Sequence, residues 1–168
     1  VYDGSPENGI SRIVRGIEFL NLRLVIYGEE VTASNIDKWE QVVAMKEGTS
    51  TTSFRFKDIA AIEYTILANR ALPFSAMAIV KITPLKDIEM TAVNYMTVPE
   101  ELKQAKRQFR VLKDNQYLMP VFGTTAQTLT GKYKVAASTT FLFDGASETL
   151  EPKGDEVGFS KKLSKGKV

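Results

Sequence analysis

Alternation with a period of two is the feature that most limits how this chain can fold. Leu20, Leu22, Leu24 and Ile26 are interleaved with Asn21, Arg23, Val25 and Tyr27. Successive side chains on a strand point to opposite faces, so the pattern gives a strand with one face buried. It returns at Ala78, Val80 and Ile82, and more loosely from Met90 to Val98. Turn residues separate the runs: Gly28 to Glu30, Pro84 to Asp87, and Asp144-Gly145. The spacing predicts strands over 11–18, 20–27, 40–46, 51–56, 75–83, 88–96, 116–122 and 130–143. Residues 34–45 and 58–71 fit a helix or a strand about equally; a short turn and then a strand is the reading taken for the first.

One segment breaks the rhythm. Leu102, Ala105, Phe109 and Leu112 follow one another at spacings of three, four and three, the stripe of an amphipathic helix. Thr97 and Glu100 have the spacing of a capping box, and Pro99 suits a first turn. The expected fold is therefore mainly β, an antiparallel two-sheet sandwich of jelly-roll type, with one helix near 99–113. Residues 1–9 are expected as a flexible arm, 10–150 as a single β-sandwich domain, and 151–168 as a polar Lys-rich tail. The first residue is Val1, which fits a processed chain or the ordered part of a longer one.

Two absences narrow the chemistry. The 168 residues contain no Cys and no His, which excludes thiol nucleophiles, Ser-His-Asp triads and His- or Cys-based zinc sites. The adjacent carboxylates Glu29-Glu30, Glu100-Glu101 and Asp155-Glu156 point in diverging directions on any regular element. Gly131-Lys132 lacks the spacing of a phosphate loop. Asp144-Gly145 with Glu148 and Glu151 reads as a turn rather than a calcium loop. No cofactor, no metal and no transmembrane span is expected, and an enzyme is the lesser alternative, limited to carboxylate, Lys or Tyr groups.

Charge is more informative than its sum. The formal net charge is +2. Residues 100–113 carry five cations against two carboxylates, residues 161–168 carry four lysines and no acid, and the remaining body is acidic. On the expected helix, Lys103, Lys106, Arg110 and Lys113 share one face. With Lys161, Lys162, Lys165 and Lys167 they form the candidate contact set for an anionic partner, nucleic acid or a membrane surface. The bland alternatives are a solvated helix face and a solubilising tail.

Strand count, the loops at 48–53 and 123–130, the entry Phe54-Arg55-Phe56-Lys57-Asp58-Ile59 and the basic end together resemble the single jelly-roll coat proteins of icosahedral viruses and tailless phages. That resemblance implies a structural subunit of a virion that self-assembles as a homo-oligomer through its termini and inter-strand loops. Those coat proteins often carry a basic N-terminal arm, whereas residues 1–9 contain Asp3 and Glu7 and no Lys or Arg. The alternative is a monomeric, secreted or cell-surface carbohydrate-binding module. It would use exposed aromatics among Trp39, Tyr64, Tyr95, Tyr117 and Tyr133, on one sheet face or on loop ends; such aromatics are otherwise core or cross-strand pairs.

Overall fold

The computed structural model describes residues 2–4, 11–114, 117–144 and 148–167. Among these the chain is mainly β, with antiparallel pairing throughout the strand registers and no helix. In chain order the strands are β1 (Tyr2–Gly4), β2 (Ser11–Ile13), β3 (Glu18–Ile26), β4 (Glu29–Glu30), β5 (Ile36–Ala44), β6 (Thr49–Phe56) and β7 (Ala60–Ala68). They continue with β8 (Ala76–Pro84), β9 (Ile88–Thr97), β10 (Leu102–Asp114), β11 (Tyr117–Thr128), β12 (Lys134–Thr139), β13 (Glu151–Lys153) and β14 (Glu156–Leu163). The sheets run β1-β2, β10-β11-β12, β13-β14-β9-β3-β4 and β5-β6-β7-β8. The chain divides into two compact units, residues 1–22 with 93–159, and residues 23–92 with 160–168.

In the first unit the sheet β10-β11-β12 is a meander with one buried face. Leu102, Phe122 and Ala126 are buried there, and Phe109, Val135 and Ala137 are partly covered. They pack in one cluster with Ile17, Met96 and Val157, an arrangement that is sandwich-like. Phe159 closes a small aromatic group by meeting Phe141 and Phe143 edge-on at 5.1 and 4.8 Å. Asn94 is buried, and its amide donates to the carbonyls of Phe19 and Asn21 at 3.0 and 2.9 Å.

The hairpin β1-β2 is anchored by Asp3. Its carboxylate accepts the Thr130 hydroxyl at 2.8 and 2.7 Å and the Gly4 N–H at 3.0 Å. The hydroxyls of Thr128 and Thr130 hold the Asp3 carboxyl below its usual range. The expected arm at 1–9 thus contains a paired strand at its start; residues 5–10 lie outside the described residues, as does the Gly145 end of the expected turn at 144–145.

In the second unit β5-β6-β7-β8 is also a meander. One face carries Phe56, Ala60, Ile62, Ile82 and Pro84, all buried. The face turns outward along its length, so Ile66 and Val43 at the far end are exposed. The ambiguous segment at 34–45 resolves as a turn, closed by Asn35 N–H to the Thr32 carbonyl at 3.1 Å, followed by β5. The segment at 58–71 resolves as β7.

Two expectations are corrected. Residues 102–114 form a 13-residue strand rather than a helix. The reason is a β-bulge. Lys103 pairs with Gln127 and Lys106 with Thr125, so Gln104 and Ala105 together oppose Ala126. Gln104 adopts φ of 55°, the left-handed conformation of the first residue in such a bulge. The extra residue inverts the alternation, and Leu102 and Phe109, seven apart, come to share the buried face. Seven residues are also two helical turns, which is why the stripe imitates a helix. The supposed cap at Thr97 to Glu100 is a tight turn, with Leu102 N–H on the Pro99 carbonyl at 3.0 Å. Glu101 in it is gripped by the Arg15 guanidinium at 2.9 and 3.0 Å.

The second correction concerns the Lys-rich end. Residues 151–168 supply β13 and β14 rather than a tail. Val157 is 1 % exposed. Beyond β14, the Gly166 N–H donates to the Pro84 carbonyl at 2.9 Å and the Lys165 N–H to Asp87 Oδ1 at 2.8 Å.

Candidate carbohydrate-binding face

The cation set predicted on a helix is redistributed by the strand. Lys106 and Arg110 share the outward face of β10 with Gln108 and Leu112. Lys113 falls on the opposite side of the alternation. Lys103 is committed to structure, since its Nζ donates to the Leu129 carbonyl in the β11–β12 turn. Lys161 and Lys162 are neighbours on β14 and point to opposite faces. Lys165 and Lys167 follow β14, where their backbone N–H groups are bound to Asp87 and to the Ser164 carbonyl. The structure does not gather the eight cations on one face.

The outward face of β10-β11-β12 gathers a different group. The register sets its residues in rows across the three strands: Lys106, Thr125 and Ala136; then Gln108, Gly123 and Ser138; then Arg110 and Val121. A further row brings Gln127 beside Lys134. Over the central rows lies a shallow cleft of about 220 Å³, continued past Gln104 and Lys134 by a second hollow that shares Lys106, Thr125 and Ala136. Gly123 and Ala136 keep the floor low. Side chains at Gln108, Gln127, Thr125 and Ser138 offer amide and hydroxyl groups that both donate and accept hydrogen bonds.

This face exists because of what lies beneath it. Phe122, Thr124 and Ala126 alternate inward along β11 and are buried, leaving Val121, Gly123, Thr125 and Gln127 outward. Lys134, Ala136 and Ser138 take the same side of β12. The strand candidate at 130–143 carried part of this signal, but the loop expected at 123–130 is instead the second half of β11 through Thr128, which is what brings Gly123, Thr125 and Gln127 onto the face. Among the described residues no group of His, Cys, Asp and Glu suited to a metal ion occurs.

Among the described residues, the aromatics expected for a binding module do not share one sheet face. Trp39 is 59 % exposed on β5, an edge strand, while Tyr64 lies half-buried on β7, where burial raises its hydroxyl pKa. Tyr95 belongs to β9 and Tyr133 precedes β12. The side chain of Tyr117 is outside those described.

The β architecture has a likeness among solved structures, and the sequence among curated proteins. A solved kojibiose phosphorylase structure from the human microbiome superposes with a TM-score of 0.66 at 13% identity, over 90% of this chain and 20% of that one, a likeness of fold. The chain is similar in sequence to the kojibiose hydrolase of Flavobacterium johnsoniae, 33% identical over an alignment of 175 positions, and to that of Mucilaginibacter mallensis, 28% identical. Each alignment takes in 99% of this chain and 26% of the relative, so the chain spans about a quarter of their length. No family model matches it.

These findings overturn the coat-protein resemblance and with it the reading as a self-assembling virion subunit. Strand number and a basic end are shared by many β proteins and did not discriminate. They also overturn the assignment to non-enzymes, since the relatives are named for enzymatic activities. The missing Cys and His removed several mechanisms but left carboxylate chemistry open, the chemistry on which most glycoside hydrolysis rests.

Proposed function

We propose that this chain is a β-domain of a larger kojibiose-acting enzyme, and that the outward face of β10-β11-β12 is its carbohydrate contact. The observation that carries the reading is the alignment of 99% of the chain with two kojibiose hydrolases of which it makes up 26%. The first unit is accordingly taken as a two-sheet antiparallel sandwich of the broad jelly-roll kind. The face suits a sugar: amide and hydroxyl side chains can exchange hydrogen bonds with ring hydroxyls, and a floor of Gly and Ala admits a bulky ring without steric opposition.

Titration of the isotopically labelled chain with kojibiose and with a neutral glucan oligosaccharide tests this. Amide shifts confined to outward positions of β10, β11 and β12 are expected at millimolar sugar. Shifts elsewhere only, or none, would remove the sheet face from the reading.

A further inference from the structure

The same face has a charge pattern that neutral sugar recognition does not require. Lys106, Arg110 and Lys134 all lie on it and all are exposed. No carboxylate lines either hollow, although the chain contains 20 Asp and Glu. Some cations elsewhere in the structure are matched, while other surface lysines among the described residues are not. Arg15 holds Glu101 at 2.9 Å, Lys81 holds Glu63 at 3.0 Å, Arg107 holds Asp155 at 3.2 Å, and Lys57 holds Glu29. Among the described residues, Lys106, Arg110 and Lys134 have no such partner.

Their spacing is informative. Lys106 and Arg110 are four residues apart on one strand, roughly 13 Å. Lys134 lies two strands across from β10 and one row below Lys106, roughly 12 Å away. Three point charges so dispersed cannot converge on one small anion. They match separated negative groups along an extended molecule, with Gln108, Thr125, Gln127 and Ser138 between them to meet hydroxyls. Arg110 adds a planar fork suited to a carboxylate or a phosphate.

We infer that this face binds an acidic oligosaccharide, one whose sugar units carry carboxylate, phosphate or sulfate groups. The inference rests on the carbohydrate reading of the same face and names its ligand class. Hydroxyls of the sugar are met along the central rows and its anionic groups at the cationic corners. The attraction is long-ranged but exposed, so it falls with salt.

The test uses calorimetry on the chain with four probes: a uronate-bearing oligosaccharide, a neutral glucan oligosaccharide of equal length, inorganic phosphate and a short single-stranded DNA. The expected order places the acidic oligosaccharide first, with its affinity falling as salt rises. The double variant K106Q/R110Q should weaken it about tenfold, two exposed charge contacts of roughly threefold each, while melting like the parent. A separate variant, Lys113→Gln, lies off the face and should leave binding unchanged. Equal binding of neutral and acidic sugars, insensitive to the double variant, overturns the inference and leaves the carbohydrate reading intact. Equal binding of DNA or phosphate overturns it in favour of unspecific anion attraction. Failure of both oligosaccharides removes both readings.

Discussion

Leu102 and Leu112 offer a direct trial of the strand at 102–114. Both belong to the stripe that imitates a helix, and a helical segment would bury both. In the structure Leu102 is 7% exposed within the first unit's core, whereas Leu112 is 48% exposed on the outward face. Truncating either to Ala removes the equivalent of about three carbon groups, worth roughly 2.4 kcal/mol when fully buried. At Leu102 nearly all of this is lost and a cavity is added, so about 3–4 kcal/mol is expected. At Leu112 half is already forfeited to solvent and no cavity forms, giving about 1 kcal/mol. The gap of roughly 2–3 kcal/mol corresponds to about 4–12 °C between the melting temperatures for a chain of this size. Urea unfolding of Leu102→Ala and Leu112→Ala followed by circular dichroism measures it. Equal losses for the two variants would refute the bulge-inverted strand and restore the helical reading.

Two further outcomes follow from buried polar groups. Because Asp3 has a folded pKa below its unfolded value, its contribution to stability is complete above the unfolded carboxylate range of about 4 and is lost as pH falls through the lowered folded value; the stability difference between the parent and Asp3→Ala should therefore shrink toward strongly acidic pH, and a pH-independent difference would contradict the anchoring role. Replacing Asn94 with Ala deprives the Phe19 and Asn21 carbonyls of a buried donor and should cost about 1–3 kcal/mol; an unchanged urea midpoint would show that these contacts add nothing.

How much of this was legible depended on local regularity. The alternation from Leu20 to Ile26 maps directly onto β3, because one uninterrupted strand keeps its parity. The same logic failed over 102–114. A bulge is a backbone event at Gln104, a residue that nothing in composition marks as left-handed, and one extra residue was enough to trade one periodicity for another. Pairing with β11 over most of β10 then outweighs any local helix preference. The lysine-rich end misled for a different reason. Charge suggested solvent, but Val157 and Gly158 on β14 are buried and fix the segment in a sheet. Of the candidate contact residues, Lys106 and Arg110 do share a face. Their true neighbours, Thr125, Gln127 and Lys134, come from other strands and become adjacent only through the register.

The bulge at Gln104 has a counterpart. In β5, Lys38 and Trp39 together oppose one residue of β6, and Lys38 has φ of 50°. Both distorted strands are the outermost strands of their sheets. An outermost strand offers a line of unused backbone donors and acceptors, and a straight one is a template on which a second molecule can add itself and begin a fibril. A kink with a lysine or a glutamine at its bend spoils that template. Each bulge thus sits on an edge where a straight strand would offer a template for the addition of another chain.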